Sequence, residues 1–269
     1  MHIVILCSLD HFHSPIILRE IGLKRKGDNV FIITTPKFYR NQNIIFSIYK
    51  LYKKSGLDYI LSMVITKISF LFLVFLEKYI LKKDFKDRQF FSINETIKYF
   101  SFTHYHIDDI NRQEAMNLIR NIKANVIVTI FFNQILKKSI LDLAPLSINI
   151  HPSFLPKYRG VCPVFWVLAN NEIGSGTSIH IIREGIDNGP IILREKINID
   201  PQDSYFSLYR KCSILGARLL SQILTLGISQ SDKLFLQEQN EKEASYYSNI
   251  SASSVRQFRK NKRKFFILI

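Results

Sequence analysis

The sequence predicts an α/β fold, an open and mostly parallel sheet with flanking helices. The first observation is the order strand, helix, strand at the start of the chain, over residues 2–7, 14–26 and 30–34. The second is a set of further short apolar runs, typical of buried strands, at 126–132, 147–151, 177–182 and 190–199. Rossmann-like sheets begin with this alternation of strands and helices.

Local signals support the individual elements. Ser14 and Pro15 offer an N-cap and a first-turn proline for the first helix. Pro190 precedes the last strand, as is common at a strand start or a sheet edge. The turn at 8–13 contains no glycine, so the glycine-rich phosphate fingerprint of dinucleotide-binding proteins is missing.

Composition excludes several classes of protein. Of the 269 residues, 47% are hydrophobic, which is incompatible with an intrinsically disordered chain. Cys7, Cys162 and Cys212 lie far apart, which excludes a disulfide framework and a cysteine-rich zinc module. The N-terminus has no basic leader before its first apolar run, so we expect a cytoplasmic protein.

The net charge of +15 favours phosphate-bearing partners. Six of the nine residues at 256–264 are cationic, and this segment is predicted to be a solvated tail. Without those six charges the chain still carries +9. A lysine-rich composition with no binding role explains the charge equally well.

A helical insertion is predicted after the second strand, at about 44–83. Residues 59–76 are mostly apolar and nearly long enough to span a membrane. Ser62, Thr66, Ser69 and Glu77 fall on one helical stripe, and Lys67 lies off it. We therefore expect a buried or dimer-forming helix, with an interfacial membrane helix at 59–81 as the second interpretation.

After the last strand, residues 204–225 are predicted to form a helix, followed by a polar and extended segment. The expected organisation is thus a domain at 1–200 that carries the site, and a C-terminal helix and basic tail at 201–269.

Polar side chains concentrate where two strands meet their turns. Asn149 and His151 lie two positions apart in a strand, so they project from the same face at its carboxyl end. Parallel α/β sheets bind their ligands at that edge. Asp187 lies on a glycine-flanked turn at 185–190, directly before the last strand.

These motifs resemble the folate-dependent formyltransferases, whose members act on methionyl-tRNA, glycinamide ribonucleotide or amino sugars. The matching residues are Asn149, 151–156, 158–160, His180 and 186–192. The resemblance implies 10-formyltetrahydrofolate as the formyl donor. It also implies a folate site, which we expect to comprise Phe132, Asn133, Gln134, Ile135, Leu136, Gly185 and Ile186.

Formyl transfer explains why these residue types occur together. An amine attacks the formyl carbon, and a negative charge develops on the formyl oxygen. Asn149 can donate an N–H to that oxygen. His151 can donate as well, or act as general base or acid, and Asp187 can orient its imidazole. This chemistry requires no metal.

Other histidines have simpler interpretations. His180 lies within an apolar strand, where a structural role is as plausible as a role in the site. The pairs His11/His13 and His104/His106 have no third ligand at a recognisable spacing, so we expect loop histidines rather than a metal site.

The predicted acceptor is a nucleotide-linked amino sugar, or a lipid-linked one if the helix at 59–81 contacts a membrane. The residues after Asp200 leave too little room for the barrel domain of tRNA-directed members, which argues against methionyl-tRNA. Lys157 and Arg159 are candidates to bind a substrate phosphate, although Arg159 could equally stabilise its own loop. The alternatives are a methionyl-tRNA formyltransferase-like enzyme and a non-catalytic basic protein that binds RNA or membranes.

Overall fold

Seven strands form one mixed sheet in the computed structural model, which describes residues 1–9, 11–36, 44–226 and 236–266. The strand order in the sheet is β3-β2-β1-β4-β5-β7-β8. The strands are β1 His2–Ser8, β2 Asn29–Thr35, β3 Thr103–His106, β4 Val126–Ile130, β5 Leu146–His151, β7 Gly174–Ile181 and β8 Ile191–Asn198. A separate parallel pair joins β6 Arg159–Gly160 to β9 Tyr246–Tyr247.

The first five strands across the sheet are parallel, and β7 and β8 are antiparallel to their neighbours. This arrangement confirms the predicted Rossmann-like, mostly parallel fold. The expectation that His104 and His106 lie in a loop is wrong, since both belong to the edge strand β3. β3 gives little apolar signal because none of its four side chains is buried.

Helices cover both faces of the sheet. They are α1 Ser14–Lys24, α2 Ile44–Phe75, α3 Ile93–Phe100, α4 Gln113–Ile122, α5 Lys138–Leu141, α6 Pro163–Ala169, α7 Tyr205–Leu226 and α8 Ala252–Lys260. A π-helical turn, Leu76–Ile80, continues α2, and a 3-10 turn spans Glu241–Glu243. His13, not Ser14, is the N-cap residue of α1.

Alternate residues of β1 enter two different cores. Ile3 and Ile5 pack with α1 and α7 on one face of the sheet. Val4 and Leu6 pack with α4 and α5 on the other face. Period-two alternation along the strand produces this division. α7, which follows residue 200, packs within the first core. The predicted domain boundary at residue 200 stays a prediction.

The C-terminal region differs from its prediction. Within the segment expected to be a solvated tail, residues up to Lys260 belong to α8, and Ser251 and Ser254 form a capping box at its start. Val255 and Phe258 are buried against α6, while Arg256 and Lys260 face outward and Arg259 binds Asp58 of α2. Two apolar residues at helical spacing thus pack this part of the segment against the core. Residues 227–235, part of the stretch predicted to be extended, lie outside the described residues.

Helix α2 is bent at Gly56, whose φ of 81° and ψ of 169° are not helical. Among the described residues, one helix is long and apolar enough by length and composition to cross a membrane, over Phe46–Ile80. Only 17% of its most apolar 18-residue stretch is buried. The expectation of a buried helix is therefore wrong, because the apolar side of α2 faces outward.

Candidate active site

β5 brings two predicted site residues to the Asp187 turn. Asn149 Nδ2 donates to Asp187 Oδ1 at 3.2 Å, and His151 Nδ1 lies 3.4 Å from Asp187 Oδ2. One carboxylate thus contacts both side chains. The structure brings together three residues that lie on two separate segments of the sequence.

The imidazole of His151 is held in one tautomer. Its Nε2 lies 2.8 Å from the Tyr158 carbonyl oxygen, which can only accept a hydrogen bond, so Nε2 carries the proton. Burial lowers the pKa of His151 and outweighs the Asp187 carboxylate and the Tyr158 carbonyl, which raise it. The ring is therefore neutral near pH 7, with the lone pair of Nδ1 directed toward Asp187.

His180 belongs to the same cluster. Its Nδ1 lies 2.8 Å from the Ile181 carbonyl oxygen and therefore carries the proton. Its Nε2 then accepts from Asn149 Nδ2 at 3.0 Å. The structure thus places this buried histidine in direct contact with the Asn149 amide.

Thr129, which the sequence analysis missed, fixes the other end of the Asn149 amide. Its Oγ1 donates to Asn149 Oδ1 at 2.7 Å, so the amide nitrogen must face His180 and Asp187. Thr129 and Asn149 are partners in the register of β4 and β5. This pairing of strands was the only signal that could have revealed the contact.

Asp187 is held as a carboxylate by its neighbours. Burial raises its pKa, but its polar neighbours, among them the N–H of Gly160, outweigh burial and hold the pKa well below its usual range. The Gly160 N–H donates to Oδ2 at 2.8 Å. Residue 160 must be glycine, because a Cβ there would lie 2.2 Å from the Tyr247 carbonyl oxygen.

Gln239 fixes the backbone of the Asp187 turn. Its Nε2 donates to the carbonyl oxygens of Asp187 and Gly189 at 2.9 and 2.7 Å. Its Oε1 accepts from Arg159 Nε and Nη2 at 3.0 and 2.8 Å. Gln239 could not be recognised from the sequence, because it lies in a polar segment without periodicity, 50 residues after Gly189.

Arg159 is fully buried and bonded on every side. Besides Gln239, its guanidinium binds both carboxylate oxygens of Glu241, at 2.9 and 2.8 Å, and the hydroxyl of Tyr246. Of its two predicted roles, the structure favours the structural one. Lys157 is exposed on the same loop and remains a candidate to bind a substrate phosphate.

The predicted folate segment follows β4, next to the carboxyl end of β5. Asn133 and Gln134 use their side chains to hold neighbouring loops, through contacts with Thr35, Pro36, Asp108 and Ile110. Leu136 is buried and Phe132 is half-buried. Ile135, 73% exposed, is therefore the apolar side chain of this segment that a ligand can reach most readily.

The other predicted folate residues lie on the Asp187 turn. Gly185 has a φ of 107°, and a Cβ there would lie 2.3 Å from Asn188 Nδ2. Ile186 is 50% exposed. Asn188 Oδ1 is buried and has no hydrogen-bond partner among the described residues. The turn thus combines an exposed apolar side chain with an unused hydrogen-bond acceptor.

The remaining histidine pairs have protein partners. His104 and His106 both lie within hydrogen-bond distance of Thr34 Oγ1, at 2.8 and 3.2 Å. His13 stacks on the ring of Tyr209. In the part of the chain that the structure describes, no group of three His, Cys, Asp or Glu side chains is arranged to hold a metal ion.

The fold and the site together define an α/β protein with an Asn-His-Asp cluster at the carboxyl edge of its sheet. Residues 81–224 match the family model described as formyl transferase. The chain therefore belongs to the formyl transferase family.

Methionyl-tRNA formyltransferases are among the curated relatives of the chain. The chain is 34% identical to the protein of Kosmotoga olearia over 143 residues, 53% of this chain and 45% of the relative. It is 40% identical to the protein of Syntrophus aciditrophicus over 112 residues, 41% of this chain and 36% of the relative. The matches thus span less than half the length of either relative.

Solved structures share the fold. The N-formyltransferase from Helicobacter canadensis, in complex with folinic acid and dTDP-3-aminofucose, has a TM-score of 0.58 at 20% identity, covering 93% of this chain and 71% of that one. Glycinamide ribonucleotide transformylase 1 from Symbiobacterium toebii has a TM-score of 0.58 at 15% identity, covering 89% and 94%.

Proposed function

We propose that this protein is a cytoplasmic N-formyltransferase that moves a formyl group from 10-formyltetrahydrofolate to a primary amine. The observation that carries the proposal is the contact of the Asp187 carboxylate with both Asn149 and His151. An oxygen that becomes negative needs a hydrogen-bond donor, and an attacking amine must lose a proton. Asn149 supplies the first function and His151 the second.

His151 accepts the proton at Nδ1. Its Nε2 proton is engaged by the Tyr158 carbonyl, so Nδ1 is the basic atom of the neutral ring. Once protonated, Nδ1 lies 3.4 Å from the Asp187 carboxylate, which stabilises the positive ring. The proton then passes to the nitrogen that the formyl group leaves.

Asn149 stabilises the negative oxygen. Both of its amide hydrogens have acceptors in the structure, His180 Nε2 and Asp187 Oδ1. The oxygen must replace one of them. We expect it to replace Asp187 Oδ1, since this contact is the longer one at 3.2 Å, against 3.0 Å for His180. Thr129 and His180 keep the amide in place during the exchange.

The formyl carbon would come from bound 10-formyltetrahydrofolate, and the residues present fit such a donor. Ile135 and Ile186 expose apolar side chains that can contact a flat ring. The buried Asn188 Oδ1, without a partner among the described residues, can accept a hydrogen bond from a ring N–H or amino group.

We propose a nucleotide-linked amino sugar as the acceptor. The exposed Lys157 follows His151 on the same loop, and the chain carries a net charge of +15, so both favour a diphosphate. The second candidate is methionyl-tRNA, which the names of the curated relatives favour.

An acceptor panel tests the proposal. The full chain is incubated with 10-formyltetrahydrofolate and either nucleotide amino sugars or methionyl-tRNA, and products are identified by mass spectrometry. We expect a formylated nucleotide sugar. Transfer only to methionyl-tRNA would contradict the acceptor, and binding of folate without transfer to any amine would contradict the activity.

A further inference from the structure

We propose that the outward face of α2 docks this protein on an anionic membrane surface as a peripheral protein. The outward face is defined by Leu57, Leu61, Val64, Ile65, Ile68, Leu71, Phe72, Phe75 and, in the following turn, Tyr79. This face, the opposite face of the same helix and the local charge together support the docking. It does not depend on the proposed activity.

The outward face is a continuous apolar stripe. Its members recur three or four positions apart, so they lie on one side of the helix. Each of them is between 48% and 62% exposed. Monomeric soluble proteins rarely expose a contiguous apolar surface of this extent, and such surfaces mark sites of protein or membrane interaction.

The polar side of the helix faces the protein. Ser62, Thr66 and Glu77 are at most 7% exposed. Glu77 accepts hydrogen bonds from the backbone N–H groups of Gln89 and Phe90 at 2.7 and 2.8 Å. The helix therefore buries these polar groups, together with Phe70, on the side of the protein and exposes a row of apolar groups on the other side.

Specific contacts hold this orientation. Arg259 of α8 donates to both carboxylate oxygens of Asp58, at 2.7 and 3.0 Å, and to Ser62 Oγ at 2.8 Å. Ser55 Oγ donates to the Ile250 carbonyl at 2.7 Å. Turning the apolar face inward would break these bonds and leave buried polar groups unpaired, which is costly.

The charge of the segment favours anionic lipid over a second copy of the chain. Residues 44–83 contain seven lysines against Asp58 and Glu77. Both acidic side chains already have partners, Arg259 for Asp58 and Lys83 for Glu77. Two copies packed face to face would bring these positive segments together, whereas anionic headgroups neutralise them.

A surface position fits better than a span across the bilayer. Lys67 lies near the middle of the apolar stretch and is exposed, with its Nζ 5.4 Å from the ring centroid of Phe12. Spanning would carry Lys67, Ser62, Thr66 and Glu77 into hydrocarbon, away from their partners, at high cost. An interfacial helix keeps these contacts and inserts only the apolar face.

The docking face lies near the candidate active site. Phe12 follows β1, at the carboxyl edge of the sheet, and its ring packs 5.0 Å from Phe70 of α2. His11, its neighbour, packs on Phe131 at the end of β4, beside β5. Docking would therefore hold the Asn149 edge of the sheet close to the lipid surface.

Vesicle sedimentation tests the proposal with the full chain. The probes are vesicles of phosphatidylcholine alone and vesicles that also contain phosphatidylglycerol. We expect sedimentation with the anionic vesicles only, weakened when salt rises from about 0.1 M to about 0.5 M. Ile68→Ser with Phe72→Ser should weaken binding at least about tenfold, because each residue loses apolar burial in the interface.

The matched control is Ile173→Ser with Ile214→Ser, which changes two exposed apolar residues away from α2. All positions are exposed, so both variants should keep the wild-type circular dichroism and melting temperature. Equal vesicle binding by the two variants, or no binding by the wild-type chain, would overturn the proposal. So would a lipid-free dimer that Ile68→Ser with Phe72→Ser dissociates, since a second copy would then cover the face.

Discussion

The candidate active site and helix α2 both turn polar side chains toward the inside of the protein, with opposite consequences. In the site, Thr129, His180 and Asp187 surround the Asn149 amide, so the buried polar groups serve one another. In α2, Ser62 and Thr66 are buried, whereas a row of apolar residues on the opposite face is exposed to solvent. The first arrangement is typical of an active site, and the second is typical of a face that binds another surface.

The difference shows what periodicity can tell. A period of two correctly placed Asn149 and His151 on one face, and a period of 3.6 correctly placed Ser62, Thr66 and Glu77 on another. Periodicity groups residues by face but does not say which face is inside. For α2, contacts with distant residues hold the polar face inward, and one of them joins Asp58 to Arg259, about two hundred positions later.

Replacement of Asn149 should have the largest effect on the site. Asn149→Ala removes the proposed donor to the negative oxygen, so we expect kcat to fall about a hundredfold or more. Steady-state kinetics with circular dichroism measures this loss in a folded protein. Asn117→Ala on the surface of α4 is the control and should behave as wild type. Wild-type turnover in Asn149→Ala would remove this residue from the mechanism.

Asp187→Asn should lower kcat about tenfold to a hundredfold. The amide keeps the size of the side chain but lacks the negative charge that stabilises a protonated His151 ring. Stopped-flow or steady-state assays at pH 7 measure the change. An unchanged kcat would mean that the charge of Asp187 has no part in proton transfer.

Gln239→Ala should lower kcat by roughly tenfold, with a smaller change in KM. The substitution releases the carbonyls of Asp187 and Gly189 and loosens the turn. We expect the reaction to slow, because a displacement of the carboxylate by about 1 Å is enough to lower the rate. Gln237→Ala is the matched control, because its side chain contacts Arg194 instead of the turn. Equal effects of the two substitutions would contradict a positioning role for Gln239.

Arg159→Lys should affect stability more than substrate binding. Lysine cannot reproduce the paired contacts with Gln239 and Glu241, and we expect a loss of roughly 1–3 kcal/mol in the free energy of unfolding. Thermal unfolding and the KM for a nucleotide sugar distinguish the two roles. A raised KM at unchanged stability would restore Arg159 as a phosphate ligand.

Much of the site was predictable because its residues end strands or occupy glycine-flanked turns, where local sequence fixes geometry. Asn149, His151 and Asp187 are of this kind. Thr129 and Gln239 were not predictable, since their contacts arise from strand pairing and from a distant polar segment. β3 was not predicted because its side chains are not buried. α8 was not predicted because its two buried apolar residues lie among many charged ones.

The pH dependence of kcat/KM tests the central claim most directly, namely that neutral His151 is the base. Burial lowers the pKa of His151, so the ring becomes protonated only below its ordinary value of about 6.5. We predict that kcat/KM falls as the pH drops through that lowered pKa, and that this acid limb disappears in the residual activity of His151→Ala. An acid limb of the same shape in both proteins would contradict the assignment.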